Sequence, residues 1–295
     1  MHGLLATPGG VFLSSQKLSI RISTPSIRPS MKRLPLFFLM TLTSFAAAHA
    51  QTVVGLWRMG EDDVGAVAGN AVNSPSTPSF GTALGKSGGA LTYSSNTPGA
   101  ASSLAVSFNG GYYAATPASG LGLTNNFTLE TWVNFTSVST TQWVMVVGTS
   151  FFSVGIQLDG TTGKVGGAVT NNTTGNFAFG QSSALSTSTW YHVALVVDNV
   201  GTGTFYLNGH ALPNPATIGT FGSRFLLGAD SEGAAKLSGL LDQTDVFTFS
   251  TGTFSPSMLN YSTFAVPEPS TSAALAGIAT LGLAVWRRRS RVTRT

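Results

Sequence analysis

Trp190-Tyr191-His192-Val193-Ala194-Leu195-Val196-Val197-Asp198, followed by Gly203-Thr204-Phe205-Tyr206-Leu207-Asn208-Gly209, is the stretch that decides the fold. Both runs have strand length and are rich in aromatic and β-branched residues, with none of the i, i+3, i+4 spacing of a helix. The second ends on Asn-Gly, whose ready access to positive φ makes it a strong turn signal. The stretch therefore reads as two strands ending in a tight turn.

Working outward, the same pattern recurs. On the N-terminal side, Phe127 to Phe135 alternates with period two, and Trp143 to Gly148 and Phe152 to Leu158 are further strands. Asp159-Gly160 marks a turn, after which Lys164 to Val169 returns. Val53 to Met59 is a first strand, followed by Glu61-Asp62-Asp63 and a polar loop to about Ser79. Leu104 to Phe108 and Tyr112 to Ala114 are expected to form a hairpin across Asn109-Gly110-Gly111. On the C-terminal side come Phe225 to Asp230, a long last strand from Gly239 to Phe249, and one helical turn at Pro256 to Leu259. Short strands separated by Gly, Asn and Thr, with no heptads, no long amphipathic helix and no internal repeat, predict one all-β sandwich or barrel over 51–264.

Four of these segments, in order, carry a resemblance: Phe127 to Val133, Trp190 to Ala194, Tyr206 to Gly209 and Gly239 to Asp242. Together they resemble the LamG-like jelly-roll domains of the concanavalin A-like lectin/glucanase superfamily, and Leu56-Trp57 with Glu61 matches the first strand of that family. The resemblance implies an antiparallel jelly-roll β-sandwich and a binding or structural module for polysaccharide. In related domains a cation ties the end of the first strand to the last, which makes Glu61, Asp62 and Asp242 the candidate calcium ligands, since hard cations take carboxylate and carbonyl oxygens. The competing reading is a solvated turn at Glu61 to Asp63 and a hydrogen-bonded strand acid at Asp242. The chain departs from the family after Asp242, where Gln243, Thr244 and Asp245 replace the usual acidic residue and basic strand.

Charge is distributed in three blocks that sum to the formal +4 of the whole chain. Residues 1–50 carry +5 (Lys17, Arg21, Arg28, Lys32, Arg33). Residues 267–295 carry +4 from five arginines and Glu268. Between them, ten acids and five basic residues (Arg58, Lys86, Lys164, Arg224, Lys236) give −5. The basicity thus belongs to the ends, and a phosphate-binding patch is absent from the central part, which argues against nucleic acid. With no cysteine, disulfides, thiolate metal sites and cysteine nucleophiles are excluded.

Met31-Lys32-Arg33 followed by Leu34 to Leu42 is a charged n-region and apolar h-region, and Ala48-His49-Ala50 before Gln51 is an A-x-A cleavage pattern. Residues 31–50 are expected to be a signal peptide, with cleavage read from Ala48, Ala50 and Gln51. Residues 1–30, rich in Ser, Pro and Gly, are expected to be a disordered upstream extension arising from a start codon assigned too early, the alternative being an unusually long n-region.

At the other end stand Val266-Pro267-Glu268-Pro269, an uncharged run from Ser272 to Trp286, and Arg287-Arg288-Arg289. As a helix, Thr271 to Trp286 would span roughly 24 Å, short of the ~30 Å hydrocarbon core but extendable by flanking arginines. The prolines prevent the helix from running backwards, and the arginines favour the cytoplasmic side. An ordinary membrane anchor would need the helix and its basic flank only. The addition of Pro-Glu-Pro resembles the PEP-CTERM sorting signal of Gram-negative bacteria. That resemblance implies an exosortase as partner, processing near Pro267 to Pro269, transient inner-membrane anchoring through 265–295 and delivery to the cell envelope, outer surface or extracellular matrix.

For chemistry, His192 and His210 are the histidines of the central part. His192 shares a strand face with Trp190 and Ala194 and is expected to pack; His210 is expected to be exposed beyond its turn. Glycoside hydrolysis, the enzymatic alternative, needs two carboxylates flanking a bond. The laminarinase-like E-x-D-x-E run is missing, and Glu61, Glu130 and Glu232 stand apart. A non-catalytic module without a cofactor is therefore expected. Trp143, Tyr112 and Tyr113 are the candidate aromatic platform for a glycan, against the simpler reading that aromatics at strand spacing belong to the core.

Overall fold

A computed structural model describes residues 51–261, apart from 73–77, 116–120, 124, 150–151, 172–174 and 199–200. The strands are β1 (Gln51–Trp57), β2 (Leu84–Ser94), β3 (Ala105–Ala115), β4 (Phe127–Phe135), β5 (Gln142–Thr149), β6 (Phe152–Asp159) and β7 (Lys164–Asn171). They continue as β8 (Gly175–Phe179), β9 (Trp190–Asp198), β10 (Thr202–Leu207), β11 (His210–Ala211), β12 (Ala216–Thr217), β13 (Phe225–Leu227) and β14 (Ser238–Phe249). A 3-10 turn, Pro256–Met258, follows. The described part is all-β, and every pairing between its strands is antiparallel.

Strand order is β11-β10-β9-β4-β14-β3-β13-β5-β6-β7-β8, with β1 beside β14, β12 beside β10 and β2 beside β3. The long β3 makes the corner. Its first half pairs with β14 (Val106↔Leu241) and its second half with β13 (Tyr113↔Leu227). The sheet thereby curls into two limbs, as in a jelly roll. Alternate side chains from both limbs meet in one core, including Leu129 and Val133 of β4, Val193 and Leu195 of β9, Ile156 of β6 and Phe225 of β13. Trp57 stacks on Phe225 at 5.4 Å between ring centres, joining the first strand to the far limb.

Neighbouring strands within a limb approach closely where glycine allows it. A Cβ on Gly155 of β6 would lie 2.1 Å from the Met145 carbonyl oxygen of β5. That is a backbone clash no rotamer could relieve.

One expectation is corrected, and one segment left unassigned proves to be a strand. Asn109-Gly110-Gly111 is not a hairpin turn: β3 runs through it, and Gly110 (φ +78) is taken up as a bulge opposite Gly88 to Ala90 of β2. Leu84 to Ser94, read as no element, is the strand that pairs along the whole of β3.

Candidate functional site

Two polar centres lie on the outer face of the β9-β4-β14 limb, and a two-residue irregularity in β14 creates both. Strict alternation would place Asp242 and Asp245 on opposite faces. The register shifts between them, however, and Gln243 adopts φ +40. Asp242 therefore pairs with Trp132 and Asp245 with Glu130, while Leu241 and Val246 both point into the core.

In the first centre, Glu130, Asp245 and His192 are 1%, 3% and 1% exposed. His192 Nε2 lies 3.0 Å from Glu130 Oε2. Asn260 closes the group: its backbone N–H donates to Glu130 Oε2 at 3.0 Å, and its Nδ2 donates to Glu130 Oε1 at 3.0 Å and to Asp245 Oδ2 at 2.7 Å. One amide thus bridges two carboxylates. Burial, and then the charge of Glu130, push the Asp245 carboxyl up to about 7, partly offset by the Asn260 bond.

The segment that delivers Asn260 is a strap across the same face. Ser255 caps the 3-10 turn, its hydroxyl accepting from the backbone N–H of Ser257. Met258 and Leu259 then bury against Ala194, Val196, Tyr206, Phe247 and Phe249. Tyr261 stacks on Trp132, with ring centres 5.9 Å apart and planes at 22°. Below the strap, Asn208 and Gly209 both have positive φ, and a Cβ on Gly209 would come within 2.8 Å of the Tyr261 ring. Sequence reading placed His192 on the packing face correctly but left Glu130 without an acidic partner, because that partner is supplied across strands.

The second centre contains Asp242, which is fully buried; the Ser102 hydroxyl and the Gln243 backbone N–H lie near its carboxylate, but neither closes a hydrogen bond of normal geometry. Burial, and then the charge of Glu61, push its carboxyl up to about 7, against the lowering effect of the Ser102 hydroxyl and Arg58. Of the candidate calcium ligands, Glu61 is near enough for its charge to act on Asp242. Its own Oε1 accepts from the backbone N–H of Ser103 at 2.6 Å, and Arg58 lies 3.2 Å from its Oε2. Asp62 turns instead to Ser79 and Arg58. Asp63 accepts from Tyr93 Oη at 2.9 Å. Among the described residues no three His, Cys, Asp or Glu side chains converge as a metal cluster. The under-bonded oxygens of Asp242 nonetheless have the chemistry a hard cation takes, and Asp242 and Glu61 are the residues that would hold one.

The aromatic candidates do not form an exposed platform. Tyr113 is in the core at 0% exposure and Trp143 is 3% exposed. Half-buried Tyr112 packs against the Trp143 cluster, with Lys236 Nζ 5.9 Å from its ring centre. His210 is exposed, as expected.

Val266, Pro267, Glu268, Pro269, Arg287, Arg288 and Arg289 lie outside the described residues, as do Ala48 and Ala50; Gln51 begins β1. No helix among the described residues is long and apolar enough to cross a membrane; the apolar run Ser272 to Trp286 lies outside them.

Comparison with known proteins agrees with this architecture. Among solved structures, domain 4 of AbnA, a GH43 extracellular arabinanase from Geobacillus stearothermophilus in complex with arabinotriose, is similar with a TM-score of 0.52 at 16% identity, over 70% of this chain and 96% of that one. A mutant Trypanosoma rangeli sialidase displaying trans-sialidase activity is similar with a TM-score of 0.49 at 14% identity, over 68% of this chain and 31% of that one. No curated protein sequence matches. Residues 108–251 match the sequence model of the concanavalin A-like lectin/glucanases superfamily, and residues 265–289 match the PEP-CTERM protein-sorting motif. That motif implies exosortase-mediated processing and export to the cell envelope or surface of a Gram-negative bacterium. The chain therefore carries a concanavalin A-like domain and, C-terminal to it, a PEP-CTERM sorting motif.

Proposed function

We propose that the chain is an exported envelope or matrix protein whose β-sandwich binds polysaccharide without cleaving it, anchored in the inner membrane by its C-terminal run until an exosortase processes it. The observation that carries the non-catalytic part is the state of the Glu130–Asp245 pair. A glycosidase holds two carboxylates on either side of a bond, with room between them for a sugar and a water. Here both carboxylates are buried, one amide nitrogen bridges them, and the strap lies over them. The binding part is supported by the superfamily match and by the fold shared with an arabinanase domain that has been seen with arabinotriose.

The test is to apply the purified full chain to immobilised polysaccharides and then incubate it for days with any that retain it, reading polymer length by mass spectrometry. Retention with unchanged length is expected. Shortened polymer, lost in a Glu130→Gln variant of unchanged melting temperature, would replace this reading with that of a glycoside hydrolase.

A further inference from the structure

A second hollow on the outer face remains once the strap is accounted for. It lies at the far end of β9 and β10, beyond Met258, with a volume of about 300 Å³. Val196, Asp198, Thr204, Tyr206, Phe249 and Phe254 line it. Their placement follows from register: Val196 and Asp198 alternate outward on β9, and Thr204 and Tyr206 do so beside them on β10. Phe254 closes one wall, its ring centre 5.3 Å from that of Phe249 and 5.7 Å from that of Tyr206.

Three properties point to a ligand. Asp198 Oδ1 is buried and has no hydrogen-bond partner. No Lys or Arg among the described residues forms an ion pair with Asp198; the ion pairs there join Arg58 to Glu61 and Asp62, and His192 to Glu130. Thr204 and Tyr206, both in the lining, place two hydroxyls on the same side as Asp198. The Asp198 charge is felt locally, raising the Tyr206 hydroxyl pKa after burial has already done so. An acceptor without a donor, beside an aromatic wall and two hydroxyls, calls for a molecule with an apolar face and several O–H donors on its rim. The volume is at the low end for small-molecule sites, enough for one ring rather than a chain.

We infer that this hollow is a subsite for one sugar ring of a neutral polysaccharide. The C–H face of the ring would pack on Phe254 and Phe249, and two of its hydroxyls would donate to Asp198. This inference rests on the polysaccharide-binding reading above and assigns it a place.

The experiment is calorimetric titration of the purified full chain with arabinotriose and with neutral hexose trisaccharides, alongside Asp198→Asn and Thr204→Val variants. Melting temperatures establish that the variants fold. The expected result is saturable binding of at least one trisaccharide, weakened at least tenfold by Asp198→Asn with an unchanged melting temperature, and weakened less by Thr204→Val. Equal binding by wild type and both variants would overturn the subsite while leaving polysaccharide binding in place. Binding of tetramethylammonium in preference to every sugar would make the hollow a cation site and overturn the assignment. Absence of binding to any trisaccharide, in a chain that retains no polysaccharide, would remove both the subsite and the reading on which it rests.

Discussion

Asp245 is where a single proton matters most. Its carboxyl titrates near 7 in the fold, because ionisation would place a second charge beside Glu130 in a buried site. In the unfolded chain it titrates near the ordinary aspartate value of 3.8. A raised carboxyl pKa means that the folded state holds the proton more tightly. The stabilisation is complete below the unfolded value and is lost as pH rises through about 7. Each unit of difference corresponds to about 1.4 kcal/mol. For a domain of this size the melting temperature at pH 8 should lie on the order of 5–10 °C below that at pH 5. Asp242, raised to about 7 as well, adds to the same slope, so Asp245→Asn should remove only its own share, as read by thermal unfolding across the pH series. Asp242 calls for a different check, because a hard cation would need its ionised form. Millimolar calcium at pH 8 should raise the melting temperature of the wild type by several degrees and leave Asp242→Asn unmoved. A wild type that ignores calcium would leave Asp242 as a buried acid without a metal role.

At the scale of elements, the strap is the part whose removal tells most. Asn260→Ala removes the two side-chain hydrogen bonds to the buried carboxylates and leaves the backbone N–H bond to Glu130, and each lost bond to a charged acceptor costs about 1.5–3 kcal/mol. The expected outcome is that loss in urea unfolding, together with faster amide exchange in 254–261 and on the β4 and β9 residues beneath. Gly209→Ala should loosen the same strap from below, since it combines a strained φ with a clash against Tyr261. Little of this was legible in the sequence, whereas most strands were. Phe127 to Phe135 and Trp190 to Asp198 announce themselves by alternation and β-branched content, and the helical turn at Pro256 by its proline after a capping serine. Leu84 to Ser94 gave no such signal, because its middle residues Lys86 to Ala90 are largely exposed and include paired glycines. Asn109-Gly110 misled because a residue pair that favours a turn serves equally well for a bulge within an unbroken strand. The Glu130–Asp245–His192 group was hidden for a related reason. Strict alternation puts Asp245 in phase with Leu241 and Val246 out of phase with it, and only the irregularity at Gln243 reverses this.

For the whole molecule, the strap and the sorting motif are neighbours in sequence, and this constrains where processing can act. The last described residue is Tyr261, which stacks on Trp132, and the sorting motif begins at 265. From Tyr261 to Pro267 the chain reaches at most about 20 Å even when fully extended. A cut at Pro267 to Pro269 would spare every bond that Asn260 makes. A cut ahead of Ser255 would instead remove Met258, Leu259, Asn260 and Tyr261, expose the apolar patch on β9 and β14, and leave two buried carboxylates without their donor. The sandwich is therefore expected to tolerate loss of the sorting motif but not of the strap. A chain ending at Phe264 should unfold at the same temperature as the full chain, whereas one ending at Thr253 should lose its cooperative transition. In the native cell, the intact mass of the mature protein should place its C-terminus after Tyr261, with 270–295 lost only when the sorting enzyme is present. A mature C-terminus ahead of Ser255 on a chain that still unfolds cooperatively would show that the strap is dispensable and that the acid cluster is stable without it.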